Sequence, residues 1–424
     1  MAEAHNEARR IGEAIRQARV LQRRSQNDVA AALGYHQSKV SRLEAGRGTE
    51  DIRVLRAVAQ ELRIPPAQLG LTPAHPVASA TDPEADDMHR RTFLAASIAA
   101  LATQAASAAA HDDLVKALLP GLSPVSTGSA LDTAVLRERV GGARRLFYTC
   151  DYTELERTLP GLITDLRLAS GSAGDRDTLS ALLATAYQTS TSLLLKQHDQ
   201  GNAWLAVGRA MAEAERSGDP VVLASSVRVQ AHVLAREKHA AQAVTLVRHT
   251  ADQVTGSYDQ RSPKYLAAVG LLLLRGVTAA SGGGDRAATE EFLAEAKEVA
   301  RFVSLDRPDA WANFSPTNVA LHELSALVAF GDSGLALQAA RPLMRRHIPV
   351  PERRAALWVE TARAYSQQSR LADGYQALRI AETCAAQDVR RPAVRDLVAD
   401  MAARDHRRTL PELHHFSRQL GVPA

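Results

Sequence analysis

From Leu131 onward the chain repeats itself, and a repeat of this length leaves few folds open. Candidate helical pairs begin near residues 133, 176, 219, 262, 308, 352 and 390, with spacings of 43, 43, 43, 46, 44 and 38 residues. Loop punctuation recurs in step: SAGD (172–175), SGDP (217–220), SGGGD (281–285) and FGDSG (330–334). Each unit reads as a long helix, a short break such as KQHDQ or REKHA, then an alanine-rich helix such as NAWLAVGRAMAEAERSG. Small residues at helical spacing let two helices approach closely, yet neither buries its apolar face without neighbours, so the units must stack as an α-solenoid. Aromatic residues are only 4% of the chain, while alanine, leucine and arginine abound. That mixture favours helices over strands. The fold class expected is all-α.

The units resemble tetratricopeptide repeats with lengthened helices, although the consensus is poorly kept. A solenoid of this kind presents its first helices along a concave face that binds a peptide or small ligand. Polar residues within those helices are the candidate contacts. Gln188 and Gln230 lie 42 residues apart and Asn318 lies 88 beyond, so their amides are placed to form a ladder for an extended peptide backbone. Asn318 and His322 share a helix face. Arg228, Arg275 and Arg354 are candidates to complement a carboxylate. Trp204, Trp311 and Trp358 are expected in the core.

The charge is uneven. Residues 1–72 hold 12 Lys+Arg against 8 Asp+Glu, whereas the remaining 352 residues hold 39 of each, so the whole net charge of +4 lies at the N-terminal end. Ile11, Ile15 and Ala18 make one apolar helical face. Ser25, with Asp28 three residues on, forms a capping-box signature before a short helix that Gly34 can end. Val40 and Leu43 point inward from the next helix, which Gly46 closes. Ile52, Leu55, Val58 and Leu62 line a fourth, which stops before Pro65-Pro66.

The stretch SQNDVAAALGYHQSKVSRLEAG (25–46) resembles the helix-turn-helix of the phage-repressor family of regulators, the XRE or Cro/CI type, over roughly residues 8–70. The resemblance implies a five-helix DNA-binding bundle over residues 1–70. It implies that Gln37, Ser38, Lys39 and Arg42 face the major groove, where amides suit adenine and cationic side chains suit guanine. Gln26, at a helix N-terminus, is implied to bind phosphate. Arg23, Arg24 and Arg47 are placed to neutralise backbone phosphates. Glu44 is expected to pair with Arg19 in a structural role.

Residues 71–91 read as a linker. The segment MHRRTFLAASIAALA (88–102) is similar to a twin-arginine export signal, but it follows a folded domain and its apolar run is too short to span a bilayer. Residues 92–130 are therefore expected to be an alanine-rich connecting helix and loop. The solenoid is assigned to 131–424. Cys150 and Cys384 have no metal-like spacing and read as buried apolar residues. No phosphate-binding loop, metalloprotease or nucleophile-elbow motif is found, so no catalytic residue, metal or cofactor is expected. A helix-turn-helix followed by helical repeats resembles bacterial regulators that sense signalling peptides, and high-GC actinobacterial regulators. The expected function is a cytoplasmic, homodimeric regulator that binds a double-stranded DNA operator and responds to a peptide or small-molecule effector, without a membrane. The alternative is an interaction scaffold whose repeats bind a protein partner.

Overall fold

The computed structural model describes residues 2–22, 24–47, 52–62, 64, 69, 109–119, 132–170, 175–255, 262–303 and 314–422. The chain divides into two compact units, Met1–Leu94 and Ala95–Ala424. Among the described residues there are twenty α-helices and no strand. The proposed linker and the twin-arginine-like segment lie outside the described residues.

The first unit contains α1 (Ala2–Leu21), α2 (Gln26–Leu33), α3 (Gln37–Glu44) and α4 (Ile52–Glu61). Of the expected five helices four are described; beyond α4, Ile64 and Leu69 are buried in the same core. That core gathers Ile11 and Ile15 from α1, Val29 from α2, Val40 and Leu43 from α3, and Leu55 and Val58 from α4. Ser25 caps α2 by accepting from the Asp28 N–H while Asp28 accepts from the Ser25 N–H, satisfying two otherwise orphaned donors. Gly34 ends α2 in the left-handed region at φ 65°. The α1–α3 contact is unusually close, because a Cβ on Gly12 would lie 2.6 Å from the Glu44 carbonyl oxygen and 2.7 Å from the Gly46 nitrogen.

The second unit begins with α5 (109–118), whose Leu114 and Leu118 are buried in the core of the first helical pair. Seven pairs follow. They are α6/α7 (Thr133–Thr149, Tyr152–Ser170), α8/α9 (Arg176–Lys196, Gln200–Ser217), α10/α11 (Pro220–Arg236, Ala240–Thr255) and α12/α13 (Pro263–Gly282, Arg286–Ala300). Then come α14/α15 (Pro316–Ala329, Ser333–Met344), α16/α17 (Pro351–Gln367, Leu371–Cys384), a short α18 (Ala386–Val389), and α19/α20 (Pro392–Arg404, Pro411–Gln419). The pair starts follow the sequence spacing within two residues except for the fifth, which begins at Pro316 rather than near 308.

The turns share one chemistry. Cys150, His198, Lys238, Gly284, Gly331 and Ser369 each have positive φ just after the first helix of a pair. The next N–H in each case bonds back five residues, as Asp199 does to Leu194 at 2.9 Å and Asp332 to Leu327 at 2.9 Å. This is the Schellman arrangement, which satisfies the last helical carbonyls. Lys238 occupies the left-handed region with a side chain, at a cost of about 1 kcal/mol. Lys238→Gly is accordingly expected to stabilise the unit by about that amount, seen as a higher urea midpoint at unchanged m-value.

Helix α12 is apolar enough by length and composition to cross a membrane, but it packs among α10, α11, α13 and α14. Its Gly270 and Gly276 lie under the rings of Phe314 and Phe292. Trp358 is half-buried against the last core, and Trp311 lies outside the described residues. Trp204 departs from expectation: it sits on α9 with 37% of its surface exposed.

The superhelix closes on itself. Helix α6 packs against α16, and a buried charged seam joins the early pairs to the late ones. Asp388, fully buried, accepts from the Tyr152 hydroxyl at 2.8 Å and from Lys196 Nζ at 2.7 Å. Lys196 also donates to Glu352 at 2.9 Å, and Arg391 lies 3.3 Å from Asp388.

Candidate functional site

In the first unit, α2 and α3 form the helix-turn-helix pair, and α3 is its second helix. Its N-terminus is capped by His36, which accepts from the Ser38 N–H and pairs through Nδ1 with the Ser38 hydroxyl at 3.0 Å. Four side chains then make a continuous relay from α1 to the start of α3. Arg19 grips Glu44 with two hydrogen bonds, at 2.5 and 3.0 Å. Glu44 accepts from Gln26 Nε2 at 2.7 Å, and Gln26 Oε1 accepts from Gln37 Nε2 at 2.6 Å. Burial pushes the Glu44 carboxyl up, but the hydrogen bonds from Arg19 and Gln26 outweigh it and hold the group below the ordinary carboxylate value. The Arg19–Glu44 pair thus orients the two amides at the front of α2 and α3.

The other predicted contacts fall around them. Ser38 and Arg42 are exposed, and Arg42 Nε bonds only its own helix, to the Ser38 carbonyl at 3.3 Å. Lys39 lies over the Tyr35 ring, 3.9 Å from its centre. Arg47 is exposed at the end of the motif. Arg24 is instead held by Glu61 at 2.7 Å, so its charge is already balanced within the domain. Arg23 lies outside the described residues.

Residues 10–70 match the family model of the helix-turn-helix domain. The N-terminal unit carries a helix-turn-helix domain. No curated protein and no solved structure matches the chain. A helix-turn-helix domain points to a DNA-binding regulator.

The second unit contains a partly open cavity of about 220 Å³ lined by its helical pairs. Its wall comes from the first helix of each of six successive pairs, α6, α8, α10, α12, α14 and α16, with Arg391 beyond α18. Of the residues singled out by sequence, Gln188, Arg228, Arg275 and His322 line it. Gln230, Asn318 and Arg354 do not, so the amide ladder is not assembled on this wall. Gln188 itself is tied to α10, donating to Ser226 at 2.8 Å and to the Val222 carbonyl at 3.3 Å. Asn318 is buried, and its carbonyl partners His322 Nδ1 at 2.9 Å.

The cavity is strongly cationic. Arg144, Lys196, Arg228, Arg236, Arg275, Arg353 and Arg391 all line it, against the single carboxylate of Glu352. Lys196 and Arg353 share Glu352, and Arg391 rests on Asp388. Among the described residues, no carboxylate lies within ion-pair distance of Arg228 or Arg275, and Arg275 Nε is buried without a hydrogen-bond partner. Burial pulls Arg228 down to about 10, assisted by Arg144 and Arg353. Burial also pulls Arg275 down to about 9, with Arg228 and Arg353 adding to it. His322 is pushed down to about 3 by burial and Arg353. Burial pushes the Tyr148 hydroxyl the other way, yet Arg144, Arg228 and Arg353 outweigh it and lower its pKa. For Arg228, Arg275 and His322 burial is the larger cause and the neighbouring cations act in the same direction, whereas burial of Lys196 and Arg391 on the same wall is outweighed by Asp388 and Glu352, which raise them.

Sequence reasoning missed Arg144, Lys196, His232 and Arg353. A register signal was present: Arg144, Gln188, His232 and Arg275 recur at steps of 44, 44 and 43 residues. A step of 42 from Gln188 lands on Gln230, two residues out of phase with the wall.

Proposed function

We propose that the chain is a cytoplasmic, non-enzymatic transcriptional regulator of the phage-repressor type. Its tetratricopeptide-like repeats sense a small molecule and bring two protomers together on operator DNA. The observation that carries this reading is the recognition helix: Gln37 is positioned by the Arg19–Glu44–Gln26 relay, with Ser38 and Arg42 exposed beside it. An amide and a guanidinium presented at that face suit base-edge readout. One recognition helix per protomer calls for a dimer that spans half-sites about 10 base pairs apart. The concave, polar cavity supports sensing of a small molecule over docking of a protein partner, which needs a broad and largely apolar face.

For a ligand in that cavity to regulate DNA binding, it must bind the DNA-competent arrangement and the incompetent one with different affinity. The decisive test is genome-wide recovery of DNA crosslinked to the protein, beside a Gln37→Ala/Arg42→Ala variant. Discrete peaks are expected for the native chain and their loss in the variant. Each side chain contributes about 1–3 kcal/mol of discrimination. Folded protein with no enrichment over background would overturn the proposal.

A further inference from the structure

We propose that the cavity inside the superhelix is a binding site for a small phosphorylated molecule, with Arg228, Arg275 and Arg353 holding its phosphoryl group. This rests on reading the second unit as a sensor. Its argument is one of charge and size. Among the described residues, Arg228 and Arg275 face the cavity half-buried and without carboxylate partners, and Arg353 shares Glu352 with Lys196. A native fold rarely holds arginines desolvated against one another unless something of opposite charge completes the set. A monocarboxylate would answer one guanidinium. A phosphate monoester brings a charge of about −1.5 to −2 and three strong acceptor oxygens, enough for several planar donor forks at once.

The remaining wall fits the same ligand. Tyr148 offers a hydroxyl, and Phe147 supplies an apolar surface for the organic part. The cavity volume of about 220 Å³ admits a single small metabolite. The amide ladder that would have served an extended peptide is not on this wall, since Gln230 and Asn318 do not line it. Burial first, and the neighbouring arginines second, pull Arg228 and Arg275 down, and an incoming dianion would oppose both.

The test is calorimetric titration of the full-length protein, without DNA, against pyrophosphate, glycerol 3-phosphate, citrate and acetate. Arg228→Gln, Arg275→Gln and the exposed Arg345→Gln are compared with the native chain. Saturable binding of pyrophosphate or glycerol 3-phosphate is expected, with either cavity substitution weakening it about tenfold or more and Arg345→Gln leaving it unchanged. Thermal melting is measured in parallel. Because Arg275 lacks a partner, Arg275→Gln is expected to melt no lower than the native chain without ligand, so lost binding is separable from misfolding. Binding of glycerol 3-phosphate with pyrophosphate inert assigns the site to phosphomonoesters, and the reverse assigns it to diphosphates. Binding of citrate alone, no binding at all, or binding undiminished in both cavity variants would each overturn the proposal. DNA crosslinking is scored separately, so failure here leaves the recognition-helix reading standing, and failure there leaves the anion site standing.

Discussion

Replacing Gly12 with alanine is expected to unfold the helix-turn-helix domain and abolish DNA binding while the second unit stays folded. The added methyl would meet three backbone atoms of the segment that closes α3, the carbonyl oxygens of Leu43 and Glu44 and the nitrogen of Gly46, all within 2.8 Å. Backbone cannot rotate away as a flexible side chain can, so α1 must be pushed off α3. Overpacking of this kind costs about 1–3 kcal/mol or more. A domain of this size holds only about 3–9 kcal/mol in total. The separation would also pull Arg19 from Glu44 and release the relay that positions Gln26 and Gln37. Hydrogen exchange of the full chain reads the result, as lost protection in α1–α4 alone. Gly208→Ala is the control, because a Cβ there meets nothing within 4 Å, and relief of a helical glycine is mildly stabilising. Equal protection in Gly12→Ala and native protein would show that the α1–α3 contact yields without strain.

The second large effect is expected at the seam. Asp388→Ala removes the acceptor of Tyr152 and Lys196 and the counter-charge of Arg391, leaving donors buried with too few partners. Breaking a buried pair by removing one partner costs about 3–5 kcal/mol. The loss should appear as a lower urea midpoint for the second unit, and as exchange in α6, α16 and α18 before the rest. The same seam sets the pH range. Burial raises the Glu352 carboxyl, but Lys196 and Arg353 outweigh it and hold it well below the ordinary value. Outside the seam, in the α19–α20 turn, Asp405 lies at about 2, because the Leu410 and Thr409 N–H groups overcome its desolvation. A carboxyl depressed by folding contributes stability above its unfolded pKa of about 4 and loses it as the pH falls through the folded value. Lys196 is shifted the opposite way: burial lowers it, while Asp388 and Glu352 raise it further. Its contribution is complete below about pH 10.4 and is lost above. Stability measured against pH should therefore hold level through neutrality and fall below about pH 4. A decline beginning near pH 6 would point away from these carboxylates.

Much of this was legible in the sequence because the signals are local. Helical period and turn residues placed six of seven pair starts within two residues, and Ser25 with Asp28 announced the cap on α2. The Arg19–Glu44 pair followed from the family resemblance. The cavity was half legible. Arg228, Arg275, Gln188 and His322 stood out as polar residues in apolar helices, but local sequence does not reveal helix phase. Arg353 therefore faces the cavity where Arg354 was expected, and His232 where Gln230 was expected. Trp204 illustrates a different limit: an aromatic ring predicts burial by composition, yet α9 turns it outward. The seam left no local trace at all. Asp388 meets Tyr152 and Lys196 across 236 and 192 residues, and nothing around any of the three marks it as a partner of the others.

An open array of repeats can be shortened from its end and still keep most of its units, because each leans only on its neighbours. Closure removes that freedom. The wall of the cavity is incomplete until Glu352, Arg353 and Arg391 have been synthesised and folded against residues made some 150–240 residues earlier. On the ribosome, therefore, the helix-turn-helix domain is finished long before the cavity exists. A chain released early would carry the complete helix-turn-helix domain without the part that closes the cavity wall.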